Sequence, residues 1–111
     1  MDRETNVGFV SEKLEKCYQD LKTKKFEDIQ LHKFINRAID DLKENPKCGT
    51  KIQKTLWPKE YAKRFQITNL WKYDLPNAWR LIYTIEHNEI TIISIILEWF
   101  NHKKYEKKFR Y

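Results

Sequence analysis

The sequence predicts an α+β fold in which an N-terminal helical hairpin packs on one face of a small, mainly antiparallel β-sheet. Apolar residues recur at helical spacing as far as Asn45, and beyond Pro46 the spacing changes to the alternation of strands. Two β-prone runs, "AWRLIYTI" and "ITIISIILEW", are joined by a short polar turn. A length of 111 residues is enough for a single domain, which we expect to cover 1–111.

The N-terminal half is expected to contain one short strand and two helices. "VGFV" is the candidate strand, and Ser11 is a plausible N-cap for the helix that follows it. A clearer apolar stripe defines the second helix and consists of Leu31, Phe34, Ile35, Ala38, Ile39 and Leu42. This helix should stop by Asn45, because Pro46 disfavours helical backbone in the residue before it. "KKFED" between the two stripes is expected to reverse the chain.

The C-terminal half is expected to supply three antiparallel strands. "NLWKYDL" alternates and places Trp71, Tyr73 and Leu75 on one side. The stretch "LPNA" that follows is a candidate tight turn. "CGTKIQKTLWPKEYAKRF" is predicted to be a lysine-rich loop, and the tail "FNHKKYEKKFRY" to be either a short helix or a loop.

Composition restricts the function classes. A formal net charge of +6 favours a polyanionic partner such as nucleic acid or an acidic protein. Glycine-rich phosphate loops are excluded by a glycine count of 2. The two cysteines, Cys17 and Cys48, have no metal-binding spacing to the histidines and are read as reduced thiols. The N-terminus lacks the apolar run of a signal peptide, and "ITIISIIL" is too short to span a bilayer. We therefore expect a cytoplasmic protein with no metal, no cofactor and no membrane partner.

Arg80 is a charged residue inside a predicted strand. The odd positions of "AWRLIYTI" are all apolar and should face the helices, so Arg80 should point to the other face of the sheet. Because only two helices are predicted, that face is expected to be open to solvent or to a ligand. A fixed guanidinium there suits a phosphate, whose oxygens it can grip in pairs. The alternative is a structural ion pair with Asp74 or Glu98 on a neighbouring strand.

The stretch "NLWKYDLPNAWRLIYTI", followed by a second β run and a basic tail, resembles the RelE/ParE toxin superfamily of bacteria and archaea. The resemblance implies a small microbial toxin that a cognate antitoxin neutralises. RelE-like members cleave messenger RNA in the ribosomal A site without a metal, whereas ParE-like members inhibit DNA gyrase. In the cleaving members, the arginine at the position of Arg80 contacts the scissile phosphate. The implied partners are therefore mRNA and the ribosome, together with the antitoxin protein.

The resemblance also implies further site residues with a looser alignment. His102 would transfer protons, because its ordinary pKa lies near neutrality, and Tyr105 would orient the substrate or stack on a base. The candidate phosphate-binding residues are Lys51, Lys54, Lys103 and Lys104. The alternatives are a solvated His102, a Tyr105 packed on the core, and lysines that only solvate a loop. Glu60 is an alternative base. The stretch "LEWF" is bulky where many members carry a glycine, so a non-catalytic binding module is the alternative function.

Overall fold

The structure, a computed structural model, describes residues 3–109. Within that range the chain forms five strands and four α-helices. In chain order these are β1 (Glu4–Phe9), α1 (Glu12–Asp20), α2 (Phe26–Glu44), β2 (Thr50–Lys51), α3 (Tyr61–Arg64), β3 (Trp71–Asp74), β4 (Arg80–His87), β5 (Thr91–Phe100) and α4 (His102–Phe109). The predicted α+β class is confirmed.

The strands form a single mixed sheet with the order β1-β5-β4-β3-β2. β2, β3, β4 and β5 pair in antiparallel fashion, whereas β1 lies parallel to β5 at the edge of the sheet. The three strands expected in the C-terminal half are present, and β2 adds a two-residue strand within the segment that was predicted to be a loop. The tail, for which a helix or a loop was expected, forms α4.

Local signals position both ends of the hairpin. The side chain of Ser11 accepts a hydrogen bond of 3.1 Å from the backbone N–H of Leu14, which confirms the predicted N-cap of α1. α2 ends at Glu44, directly before Asn45 and Pro46, as the proline predicted. Chain reversal takes place at residues 21–25, so only the lysines of "KKFED" belong to it and its last three residues already lie in α2. No helix within the described residues combines the length and the apolar character that crossing a bilayer requires.

One face of the sheet, called the hairpin face below, packs against α1 and α2. Its core joins the stripe of α2, including Ile35, Ala38 and Leu42, to Leu81 and Tyr83 of β4. All five of these residues are fully buried, with 0% relative exposure. Trp71, Tyr73 and Leu75 of the alternating segment lie in the same cluster. The predicted assignment of the odd-numbered residues of β3 and β4 to the helices is therefore confirmed.

The other face of the sheet, called the opposite face below, is covered as well. A second apolar cluster packs Ile82 and Leu97 of the sheet against Tyr61, Phe65 and other residues from the 52–70 segment and from α4. The prediction of a naked face was wrong. The face is covered because aromatic residues of α3 and α4 pack over the sheet. Neither helix is long enough to produce a periodic apolar stripe in the sequence.

Candidate functional site

Arg80 enters its strand directly from a tight turn. Asn77 and Ala78 both have φ of 61°, and the backbone N–H of Leu75 donates a hydrogen bond of 2.8 Å to the carbonyl of Trp79. A positive φ is unusual for alanine, so surrounding contacts must hold this turn in place. The turn brings the end of β3 and the start of β4 into register, and Arg80 lies directly across from Asp74.

The guanidinium of Arg80 belongs to the opposite face, as its position in the strand predicted. Its Nε lies 3.0 Å from Oδ1 of Asp74, and its Nη1 donates to the carbonyl oxygen of Trp79 at 3.2 Å. The same group lies over the ring of Tyr105, 5.6 Å from the ring centre. Of the two structural partners considered for Arg80, Asp74 is the one that it contacts. The side chain is 18% exposed, so it remains accessible at one edge.

Lys72 is a second cation at this position and was not among the predicted site residues. It lies two residues before Asp74 on the same face of β3, and its Nζ lies 3.0 Å from Oδ1 of that carboxylate. Its ammonium also lies 6.0 Å from the centre of the Tyr105 ring. The alternation of "NLWKYDL" that puts Trp71 and Tyr73 on one side of the strand puts Lys72 and Asp74 on the other. Only the register across the turn shows that Arg80 shares that side with them.

α4 borders the site that Arg80 and Lys72 form. Arg80 pairs with Phe100 in β5, so the first turn of α4 follows directly beside it. Asn101 caps this helix, because its side-chain oxygen accepts a hydrogen bond of 2.9 Å from the backbone N–H of Lys104. The helix N-terminus carries partial positive charge, which adds to that of the two side chains. Positive charge from β3, β4 and the N-terminus of α4 therefore lies at this edge of the sheet.

The two aromatic candidates of α4 have different environments. Tyr105 is 3% exposed and stacks on Phe109 with ring centres 4.7 Å apart, so a base cannot reach its ring unless α4 moves. In this arrangement the ring of Tyr105 contacts the cations of Arg80 and Lys72. His102 lies one helical turn earlier, is 52% exposed and forms an ion pair with Glu106 on the same helix. Of the two, only His102 is accessible from solvent.

The predicted lysines do not all gather at Arg80. Lys51 lies across from Trp71, which belongs to the hairpin face, and together with Lys54 it lines a separate depression of about 330 Å³. Lys103 and Lys104 are exposed on the first turn of α4. The structure thus places Lys51 and Lys54 in this separate depression, and Lys104 in the lining of a larger groove.

A larger groove, with a volume of about 740 Å³, runs between α4 and residues 55–60. Its cationic lining consists of Lys59, Lys104, Lys107 and Lys108, and its acidic lining of Glu60 and Glu98. Both carboxylates contact Lys108: its Nζ lies 2.5 Å from Oε1 of Glu60 and 3.7 Å from Oε2 of Glu98. The hydrogen bond from Lys108 holds the pKa of Glu60 below its ordinary value, which makes this carboxylate a weak base.

Glu98 lies at the centre of a partly buried network. The hydroxyl of Tyr61 donates to Oε2 at 2.5 Å, and Nη1 of Arg64 donates to Oε1 at 2.9 Å. Burial and the adjacent carboxylate raise the pKa of Tyr61 well above its ordinary value. The hydrogen bond that Arg64 donates to Glu98 raises the pKa of Arg64. These contacts tie α3 and β5 together, and Lys108 adds α4 to them.

Chemically, the edge around Arg80 can hold an anion. Two cations converge on a carboxylate there, and His102 is the first residue of the helix whose Tyr105 ring lies beside them. Within residues 3–109 no group of three or more His, Cys, Asp and Glu side chains is arranged to hold a metal ion. Comparisons with protein-family models, with curated proteins and with solved structures found no match for this chain.

Proposed function

We propose that this protein is an RNA-directed, toxin-like endonuclease of RelE/ParE-like layout that cleaves messenger RNA on the ribosome without a metal. The observation that carries the proposal is the convergence of Arg80 and Lys72 on one anionic group at an accessible edge. The net charge of +6 supports a polyanionic partner. The order of elements, a strand and two helices followed by an antiparallel series of strands, supports the RelE/ParE-like layout.

The chemistry requires charge stabilisation and proton transfer. When the 2′-oxygen of a ribose attacks the adjacent phosphorus, the phosphorane gains negative charge, which Arg80 and Lys72 would stabilise. Removing one such preorganised donor from an enzyme typically lowers the rate by about 100-fold to 1,000-fold. The bond from phosphorus to the 5′-oxygen breaks as the bond to the 2′-oxygen forms, which leaves a 2′,3′-cyclic phosphate. The exposed His102 would accept the proton of the 2′-hydroxyl and pass it to the departing 5′-oxygen. Lys103 and Lys104 would hold the flanking phosphates of the message.

The test is cleavage of a message on programmed ribosomes, with the new 5′ ends mapped by primer extension. We expect the wild-type protein to produce codon-linked cuts, and Arg80→Ala to reduce them by at least about 100-fold. The matched control is Arg37→Ala, which removes the same charge from an exposed position on α2, behind the hairpin face. An intact message in the wild-type reaction would contradict the nuclease proposal. Equal losses in both variants would contradict a specific role for Arg80.

A second candidate function is a non-catalytic binding module, such as a ParE-like inhibitor of a topoisomerase. The observation that favours it is the burial of Tyr105, which leaves His102 as the one exposed residue of the predicted aromatic pair. DNA supercoiling by gyrase separates the two candidates. Inhibition by the wild-type protein, unchanged in His102→Ala and accompanied by intact message on ribosomes, would favour the binding module.

The third element of the proposal is a cognate antitoxin, for which an acidic or amphipathic protein segment is the fitting chemistry. Such a partner would complement the basic groove and the cationic edge described above. Co-expression with the product of an adjacent short reading frame, followed by purification of the complex, tests this partner. If the neighbouring product neither binds the protein nor relieves growth arrest, the antitoxin part of the proposal is wrong.

A further inference from the structure

The carboxylate of Asp74 is shared by both cations of the proposed site. Lys72 Nζ lies 3.0 Å from its Oδ1 and 3.3 Å from its Oδ2, and Arg80 Nε lies 3.0 Å from Oδ1. The strand register produces this arrangement, because Lys72 precedes Asp74 by two residues on β3 and Arg80 lies directly across from it on β4. An anionic oxygen therefore already lies between the two groups that would bind a phosphate.

The exposures of the three side chains differ in a consistent direction. Lys72 and Arg80 are 20% and 18% exposed, whereas Asp74 is 56% exposed. The cations thus lie deeper and the carboxylate lies at the entrance. Asp74 is also the last residue of β3, so its side chain can rotate into solvent without disturbing the sheet. An incoming anion would meet this carboxylate before it reached the cations.

The contact between Asp74 and Arg80 is electrostatic without being a complete hydrogen bond. Among the described residues, the buried Nε of Arg80 has no hydrogen-bond partner of acceptable geometry, although Oδ1 of Asp74 is only 3.0 Å away. A buried N–H group without a well-aligned acceptor is unfavourable. A phosphodiester that is not tethered to the strand can align its two non-bridging oxygens with the guanidinium, whereas Asp74 approaches Arg80 Nε through Oδ1 in poor alignment. Asp74 therefore leaves the Nε–H group of Arg80 without a well-aligned hydrogen bond.

We propose that Asp74 is an internal anion that occupies the phosphate position of this site and that RNA displaces when it binds. The inference rests on the proposed function, since it takes an RNA phosphodiester as the entering group. Asp74 then lowers the affinity for RNA, because its ion pairs must break and its charge repels the phosphate. Exposed ion pairs contribute up to about 1 kcal/mol, which corresponds to an affinity about fivefold lower.

The test compares the affinities of wild type and Asp74→Asn for a fluorescein-labelled oligouridine by fluorescence anisotropy. We expect Asp74→Asn to bind about threefold to fivefold more tightly. The matched control is Glu86→Gln, which removes the same charge from an exposed position on β4, about 20 Å further along the strand. At that distance, physiological salt screens the charge, so we expect the affinity of the control to change by less than about twofold.

Each outcome decides the proposal. Equal gains in Asp74→Asn and Glu86→Gln would mean that only net charge matters and would overturn it. Weaker binding by Asp74→Asn would show that Asp74 holds Arg80 in place for RNA, and would also overturn it. Wild-type binding that Asp74→Asn leaves unchanged overturns this inference alone, whereas oligouridine binding by neither protein overturns it together with RNA binding by the isolated protein.

The ribosome assay described above then shows whether the proposed nuclease function survives, so the two failures are distinguishable. Asp74→Ser provides a second variant that removes the charge with a smaller side chain. Thermal unfolding followed by circular dichroism identifies a variant that does not fold. The affinity gain must appear in whichever of the two variants retains the wild-type melting temperature, and its absence from a folded variant overturns the proposal.

Discussion

Replacing Tyr61 by phenylalanine tests the network that holds α3 and β5 together. Tyr61 is 0% exposed, and its hydroxyl donates a hydrogen bond of 2.5 Å to Oε2 of Glu98, whose side chain is 16% exposed. Without the hydroxyl, that oxygen keeps Lys108 at 3.7 Å, which is beyond hydrogen-bonding distance. Hydrogen bonds to charged groups contribute about 1.5–3 kcal/mol to stability, so we expect Tyr61→Phe to lower the free energy of unfolding by that amount.

The matched control is Tyr18→Phe. Tyr18 is 6% exposed, and its hydroxyl donates a hydrogen bond of 3.0 Å to the neutral side-chain oxygen of Asn36. A neutral hydrogen bond contributes about 0.5–1.5 kcal/mol, so this variant should lose about half as much stability. Urea unfolding followed by tryptophan fluorescence measures both variants, with the m-value expected to stay constant. If Tyr61→Phe is no more destabilising than Tyr18→Phe, the charge-assisted contact with Glu98 does not stabilise the fold as argued.

Three further predictions concern pH and close packing. Burial raises the folded-state pKa of Tyr61 and Tyr83. The free energy of unfolding should therefore keep its full value below pH about 10 and fall above that pH. Urea midpoints across this range should show that the fall is less steep in Tyr61→Phe. Burial lowers the pKa of His32, so its contribution to the free energy of unfolding should be present above pH about 6.5 and lost as the pH falls. In the same unfolding assay, His32→Gln should lose less stability over this range. A Cβ at Gly49 would lie 2.6 Å from the hydroxyl oxygen of Tyr83, so thermal unfolding should show that Gly49→Ala costs about 1–3 kcal/mol. Gly8→Ala, whose Cβ meets nothing within 4 Å, should be neutral or stabilising by up to about 1 kcal/mol. A similar loss for both glycines, or pH profiles that these variants leave unchanged, would contradict the corresponding reasoning.

Features fixed by local chemistry could be predicted from the sequence. Ser11 caps α1 and Pro46 follows the end of α2, because both residues act on the backbone groups next to them. The face on which Arg80 lies followed from strand alternation alone. The stripe of α2 was equally visible, since 19 residues are enough to repeat an apolar pattern several times.

Features that depend on distant contacts could not be predicted in this way. The parallel pairing of β1 with β5 joins residues at opposite ends of the chain, and alternation within a strand carries no information about its neighbours. The covering of the opposite face depends on α3 and α4, which have 4 and 8 residues and give too short a pattern to recognise. Lys72 was missed as a site residue for the same reason, because its proximity to Arg80 appears only in the register across the turn.

The salt dependence of RNA binding tests the central claim, that the guanidinium of Arg80 engages a phosphate, most directly. Each phosphate contact with a single strand adds about 0.7 to the slope of log affinity against log salt concentration. We expect Arg80→Ala to reduce the magnitude of that slope by about 0.7, and Arg37→Ala to leave it unchanged. A slope that is the same in wild type and Arg80→Ala, with both proteins folded, would contradict the account.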